Sequence, residues 1–199
     1  MTERVALQSE IARDVSQKLR MKLSNKDQQA KTYTENSEAY KLYFKGRYQV
    51  FKTIPSEAKK GITYFQEAIA IDPTYAPAYV GLASAYRVLA LTGDAPSVEF
   101  FSKAKESARK AVEIDDTLGE AHAAMGFTMF WYDWDWVAAE KQFQRALELN
   151  PSDATAYLGY AHLNSNLQRH DQAVTLVDRA IEIDPLWLIA NSLKGQFLF

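Results

Sequence analysis

From Ala39 to Phe199 the apolar positions recur at spacings of three and four, the period of one face of a helix. The runs end on a shared signature. RALELNP (Arg145–Pro151) and RAIEIDP (Arg179–Pro185) close two of them, and their prolines lie 34 residues apart. EAIAIDP (Glu67–Pro73) is an earlier copy, and KAVEIDD (Lys110–Asp116) is a degenerate one. Self-similarity at this period marks a two-helix unit that cannot bury its apolar face alone and must stack on its neighbours. The pattern predicts repeats at about 39–73, 76–116, 119–151 and 154–185, and a partial one at 188–199.

In repeats 1 and 3 the second helix places small residues around a larger one, Gly61, Phe65 and Ala68 in the first and Ala139, Phe143 and Ala146 in the third, while Ala104, Ala108 and Ala111 are the small positions of repeat 2. Small residues let two helices approach, and the phenylalanines fill the space between them. Ser56 and Asp135 are expected caps for the second helices of repeats 1 and 3. From Ala83 to Ala104 is 21 residues, against 12 from Ala161 to Ala173, so both helices of repeat 2 are expected to be longer. Phe100 and Phe101 read as packing residues there. Before the repeats, Leu7, Ile11, Val15, Leu19 and Leu23 recur every fourth position. They predict an N-terminal packing helix and a polar connector over residues 1–35.

Composition narrows the function. The chain has 199 residues, 47% hydrophobic, with a net charge of −2 and no basic footprint for nucleic acid. It has no cysteine, hence no disulfide, thiolate chemistry or cysteine-based zinc site. No apolar run is long enough to cross a bilayer, so no membrane insertion is expected. No phosphate-cradling glycine loop and no nucleophile elbow is present. His122, His162 and His170 lack the two-ligand spacing of a helical metal site. His122 reads as core, His170 as a turn residue, and Asp133 and Asp135 as capping residues. No catalytic residue, metal or cofactor is expected.

At these residues the chain resembles the tetratricopeptide repeat (TPR) family. Tyr79, Leu82, Ala83 and Tyr86 carry its first-helix pattern in repeat 2; Met125, Gly126, Ala139, Phe143, Ala146 and Pro151 carry it in repeat 3. Repeat 4 keeps Tyr157, Ala161, Ala173, Ala180 and Pro185 but has Tyr160, Asn164 and Val177 at three other positions. The resemblance implies an all-α, right-handed superhelix (an α-solenoid) of about four helix-turn-helix repeats, with an N-terminal helix and a C-terminal half repeat. A narrower resemblance joins VALQSEIARDVSQKLRMKLS, SEAYKLYFKGRY and YDWDW to the TPR portion of bacterial multidomain signalling proteins. Those proteins carry TolB-like, adenylate cyclase, winged-helix or Ser/Thr kinase domains. It implies a scaffold module of such a protein, in the cytoplasm, or outside it if the parent is anchored upstream.

In this family the first helices line a concave groove. Carried over, the expected partner-binding residues are Tyr43, Phe44, Arg47 and Phe51 in repeat 1, and Ser84 and Arg87 in repeat 2. Repeat 3 gives Phe127, Phe130 and Trp131, and repeat 4 gives His162 and Asn166. Aromatics and arginines anchor protein interfaces, and Gly81 and Gly159 would leave room for a partner backbone. The partner expected is a protein or peptide. The clamp that some relatives close on an acidic chain terminus is not expected, because Tyr43, Gly81, Glu120 and Ala124 stand where its polar residues would be and only Arg47 is basic. Two other readings are a spacer that pairs with a second copy through Leu188, Leu193 and Leu198, and a small-ligand sensor built on the repeat 3 aromatics with His162 and Arg87.

Overall fold

The computed structural model describes residues 34–93 and 96–197. Among them are nine α-helices and no strand. Repeat 1 is α1 (Ser37–Phe51) and α2 (Pro55–Ile71), and repeat 2 is α3 (Ala76–Thr92) and α4 (Ser97–Ile114). Repeat 3 is α5 (Gly119–Thr128), a π-helical turn (Met129–Asp133) and α6 (Trp136–Leu149). Repeat 4 is α7 (Ala154–Asn166) and α8 (His170–Ile183), and α9 (Leu188–Phe197) follows. Each helix packs on the next, and the first helices α1, α3, α5, α7 and α9 also touch in succession. They form one continuous inner surface. The helix expected over Thr2–Lys31 lies outside the described residues.

The repeat signature has a local cause. Asp72, Asp115 and Asn150 each stand just past a second helix. Their side chains accept the backbone N–H two residues on, from Thr74 at 3.0 Å, Thr117 at 2.9 Å and Ser152 at 3.1 Å. This Asx turn reverses the chain into the next first helix. Pro73 and Pro151, which follow directly, cannot continue the helix. Asn36, Asp135 and Asp153 then cap the starts of α1, α6 and α7 with side-chain oxygens. Ser56 does not cap α2. Ile54 is the residue at that junction and makes no side-chain cap bond, because Pro55 occupies the first helical position, where its preset φ and missing N–H suit it.

Between repeats the packing alternates in size. The Phe65 ring is fully buried between Gly46 of its own repeat and Gly81 of the next. Phe143 is buried in the same way between Gly126 and Gly159. In repeat 2 the corresponding contact is Ala83, Ala108 and Ala124. In repeat 4, Val177 packs with Ala161 and Ala190. Repeat 2 is longer, as its spacing predicts: α3 and α4 have 17 and 18 residues, against 13 and 14 in α7 and α8. Phe101 at its outer corner is buried and stacks on Tyr132 at 6.1 Å, while Lys105 pairs with Asp133.

Three of the connections between first and second helices close on a non-glycine residue with positive φ. These are Thr53 (54°), Trp134 (57°) and Gln168 (59°). That conformation reverses the chain but is unfavourable for a residue with a Cβ, most of all a β-branched one.

Candidate functional site

The inner surface carries two stations where an arginine lies on aromatic rings. The first is on α1. The Arg47 guanidinium is 5.6 Å from the centre of the Tyr43 ring and 5.8 Å from that of Phe44. Tyr43 packs edge-on to Tyr75 at 5.3 Å, and Tyr75 is fully buried. Burial pushes the Tyr43 phenol above its ordinary pKa, and the positive charge of Arg47 acts in the opposite direction. Both groups therefore hold their neutral-pH charge states.

The second station spans α3, α5 and α7. The Arg87 guanidinium, half-buried, stands 4.0 Å above the centre of the Phe127 ring and 5.8 Å from that of Trp131. Trp131 stacks on Phe127 at 5.2 Å, one helical turn away on the same face. His162 meets Phe130 and Trp131 edge-on at 5.5 and 5.6 Å. Loss of hydration pulls the Arg87 pKa down to about 10, and the through-space attraction of Asp153 opposes this. The arginine remains charged at neutral pH. His162 is shifted below its ordinary value by burial, which keeps its ring neutral there.

A π-helical turn shapes this station. Asp135 N–H reaches back to the Met129 carbonyl at 3.0 Å, closing a wide loop that Trp134 ends in the left-handed conformation. The turn absorbs one surplus residue, since Gly126 to Ala139 is 13 positions where Ala161 to Ala173 is 12. Such wide turns are frequent at functional sites. Trp134 is left 72% exposed at the outer corner beside Val137, at 69%. Counting between the small residues reveals the surplus; it does not show which turn takes it up.

The residues expected on the groove separate into three groups. Phe127 and Phe130 are buried and form the floor of the second station, while Trp131 and His162 are half-buried along its wall. Tyr43, Phe44 and Ser84 are half-buried, and Arg47 is exposed. Phe51 is 74% exposed at the end of α1, and Asn166 donates to its own helix at the His162 carbonyl, 2.9 Å away. Gly81 and Gly159 are not open gaps. Phe65 fills the space beside Gly81, and Phe127 and Phe143 fill that beside Gly159. His122 is core, with Gln142 and the Asp116 carbonyl at its two ring nitrogens. Among the described residues no cluster of His, Cys, Asp and Glu is arranged to hold a metal ion, and no helix is long and apolar enough to cross a membrane.

Residues 135–196 match the sequence model of the Tetratricopeptide repeat family. The fold is a tetratricopeptide-repeat solenoid. A thermophilic TPR protein of Thermus thermophilus superposes with a TM-score of 0.67 at 19% identity, covering 81% of this chain and 82% of that one. The first TPR of Spaghetti (RPAP3), solved with an HSP90 peptide, gives 0.52 at 22% identity over 68% of this chain and 98% of that one. The Sgt2 TPR domain of Aspergillus fumigatus gives 0.53 at 19% identity over 69% and 83%. At these identities the likeness is one of fold. No curated protein matches the sequence.

Proposed function

We propose that this chain is a non-catalytic scaffold module that binds a protein or peptide along its inner surface, as part of a larger bacterial signalling or regulatory protein in the cytoplasm. The observation that carries this reading is the pair of arginine-on-aromatic stations on the first helices. Each offers a flat apolar area beside a fixed hydrogen-bond donor, the combination that concentrates binding energy at protein interfaces. The RPAP3 neighbour is bound to an HSP90 peptide, so a solenoid of this fold can hold a peptide. Of the clamp positions only Arg47 is basic here, so a different part of the groove would do the holding. Selection of binding peptides against the full chain, followed by Arg87→Glu and Trp131→Ala, tests the reading. Both variants should weaken binding at least tenfold with helicity unchanged. Unaltered affinity in both would remove the groove from the function.

A second reading rests on α9. Leu188 at its start is 81% exposed beside the half-exposed Ile189, and Leu186 in the turn before it is 82% exposed. A second copy of the chain could cover them. Light scattering across a hundredfold concentration range separates a dimer from a monomeric binder, and Leu188→Glu should abolish any dimer that forms through this face.

A further inference from the structure

We infer that the Arg87 station is the seat of one acidic side chain of an extended partner segment, with the carboxylate held end-on by the guanidinium and the aliphatic stem laid against Trp131 and His162. The inference rests on the peptide-binding reading above and gives it a chemical class.

Three observations lead to it. The Arg87 guanidinium is half-buried, yet among the described residues it makes no ion pair or hydrogen bond and acts on Asp153 only through space. A partly desolvated cation in this state is poised for an anion, because much of its hydration has already been given up. Its position is also fixed. The guanidinium carbon lies 4.0 Å over the Phe127 ring, and the N–H donors of a guanidinium lie in the plane of the group. Those in-plane donors match the two oxygens of a carboxylate, a match that a lysine ammonium does not reproduce. Finally, the neighbouring wall is apolar and neutral. Trp131 and the uncharged His162 ring are suited to the methylenes of Glu or Asp and supply no second positive charge. A phosphate group, with nearly twice the charge, would call for more than one cation at the same place. A single fixed guanidinium suits a single side-chain carboxylate.

The test uses the full 199-residue chain and a displayed library of random dodecapeptides. Peptides selected by the wild type should share one Glu or Asp at a fixed position. A synthetic peptide of that sequence should bind about tenfold more tightly than its Glu→Gln twin, the difference expected between a charge-assisted and a neutral hydrogen bond. In Arg87→Gln the two twins should bind alike, and Arg87→Lys should recover only part of the gap. Selected peptides without a shared acid, or a gap between twins that persists in Arg87→Gln, would overturn the inference and leave peptide binding intact. Selection of no peptide at all would overturn both. If circular dichroism shows Arg87→Gln unfolded, the salt dependence of the wild type decides. Added salt should weaken the Glu peptide and spare its twin, and equal salt dependence would sink the assignment.

Discussion

Repeats 1 and 3 meet their following neighbours through a phenylalanine held between two glycines, whereas repeat 2 does so through three alanines. Phe65 sits between Gly46 and Gly81, and Phe143 between Gly126 and Gly159. Ala108 sits between Ala83 and Ala124. All three central residues are fully buried. The solenoid therefore divides this junction differently among its three side chains from one repeat to the next. A large wedge goes with two missing Cβ atoms, and a small wedge goes with both restored. Close packing enforces this trade, since an interior has no spare space and tolerates no void.

The sharpest way to break the comparison is to remove a wedge. Phe65→Ala should destabilise the chain by about 3–5 kcal/mol, the cost of deleting a buried ring and leaving its cavity. Ala108→Gly should cost only about 1 kcal/mol, mostly through helix propensity. Denaturant unfolding measures both, and equal costs would refute the idea that repeats 1 and 2 close differently.

The converse experiment adds volume. A Cβ at Gly81 would lie 2.3 Å from the Phe65 ring, and one at Gly159 would lie 2.6 Å from both Phe127 and Phe143. Gly81→Ala should therefore destabilise by about 1–3 kcal/mol. Combining it with Phe65→Leu, which makes room, should cost less than the sum of the two single changes. Additive costs in that cycle would mean that the two residues are not coupled.

Much of this was legible in the sequence, for a physical reason. The Asx-Pro ends of α2, α6 and α8 mark turns whose geometry depends on local hydrogen bonds, so the residues themselves announce them. The Gly61–Phe65–Ala68 pattern announces one buried face in the same way. The match to the family model over residues 135–196 covers the part of the chain where these signals keep their regular spacing. Upstream, the fold persists although the spacing does not. Repeat 2 takes up its extra length in longer helices, and repeat 3 takes up one residue in a π turn. The candidate site was legible only in part. Register alone brings Arg87 opposite Phe127, but the filling of Gly81 and Gly159 depends on side chains from neighbouring helices. Nor does a helical period distinguish Phe130, 3% exposed, from Trp131 beside it. The widened turn fixes that difference, and it is a tertiary outcome.

The connections within repeats offer a smaller test. Thr53 holds φ at 54° with a β-branched side chain. Thr53→Gly removes the steric penalty at the cost of some unfolded-state entropy, and should raise stability by up to about 1 kcal/mol. A loss of similar size would show that the threonine side chain does something there beyond filling a turn.

The smallest expected effect bears most directly on the comparison. Gly46, Gly126 and Gly195 occupy equivalent places in the first helices α1, α5 and α9. A Cβ at Gly46 would meet Phe65 at 2.7 Å, and one at Gly126 would meet Phe143 at 2.9 Å. At Gly195 nothing lies within 4 Å. The same substitution should therefore change sign along the chain. Gly126→Ala should destabilise, because the added methyl displaces a buried ring. Gly195→Ala should stabilise by a few tenths to about 1 kcal/mol, since alanine favours the helix and meets no obstacle. Thermal unfolding at several protein concentrations reads the difference. If Gly195→Ala is instead destabilising, and more so as concentration rises, then another copy covers that face in solution. That face of α9 would then be covered by association, with Gly195 accommodating a wedge from outside as Gly126 accommodates one from within.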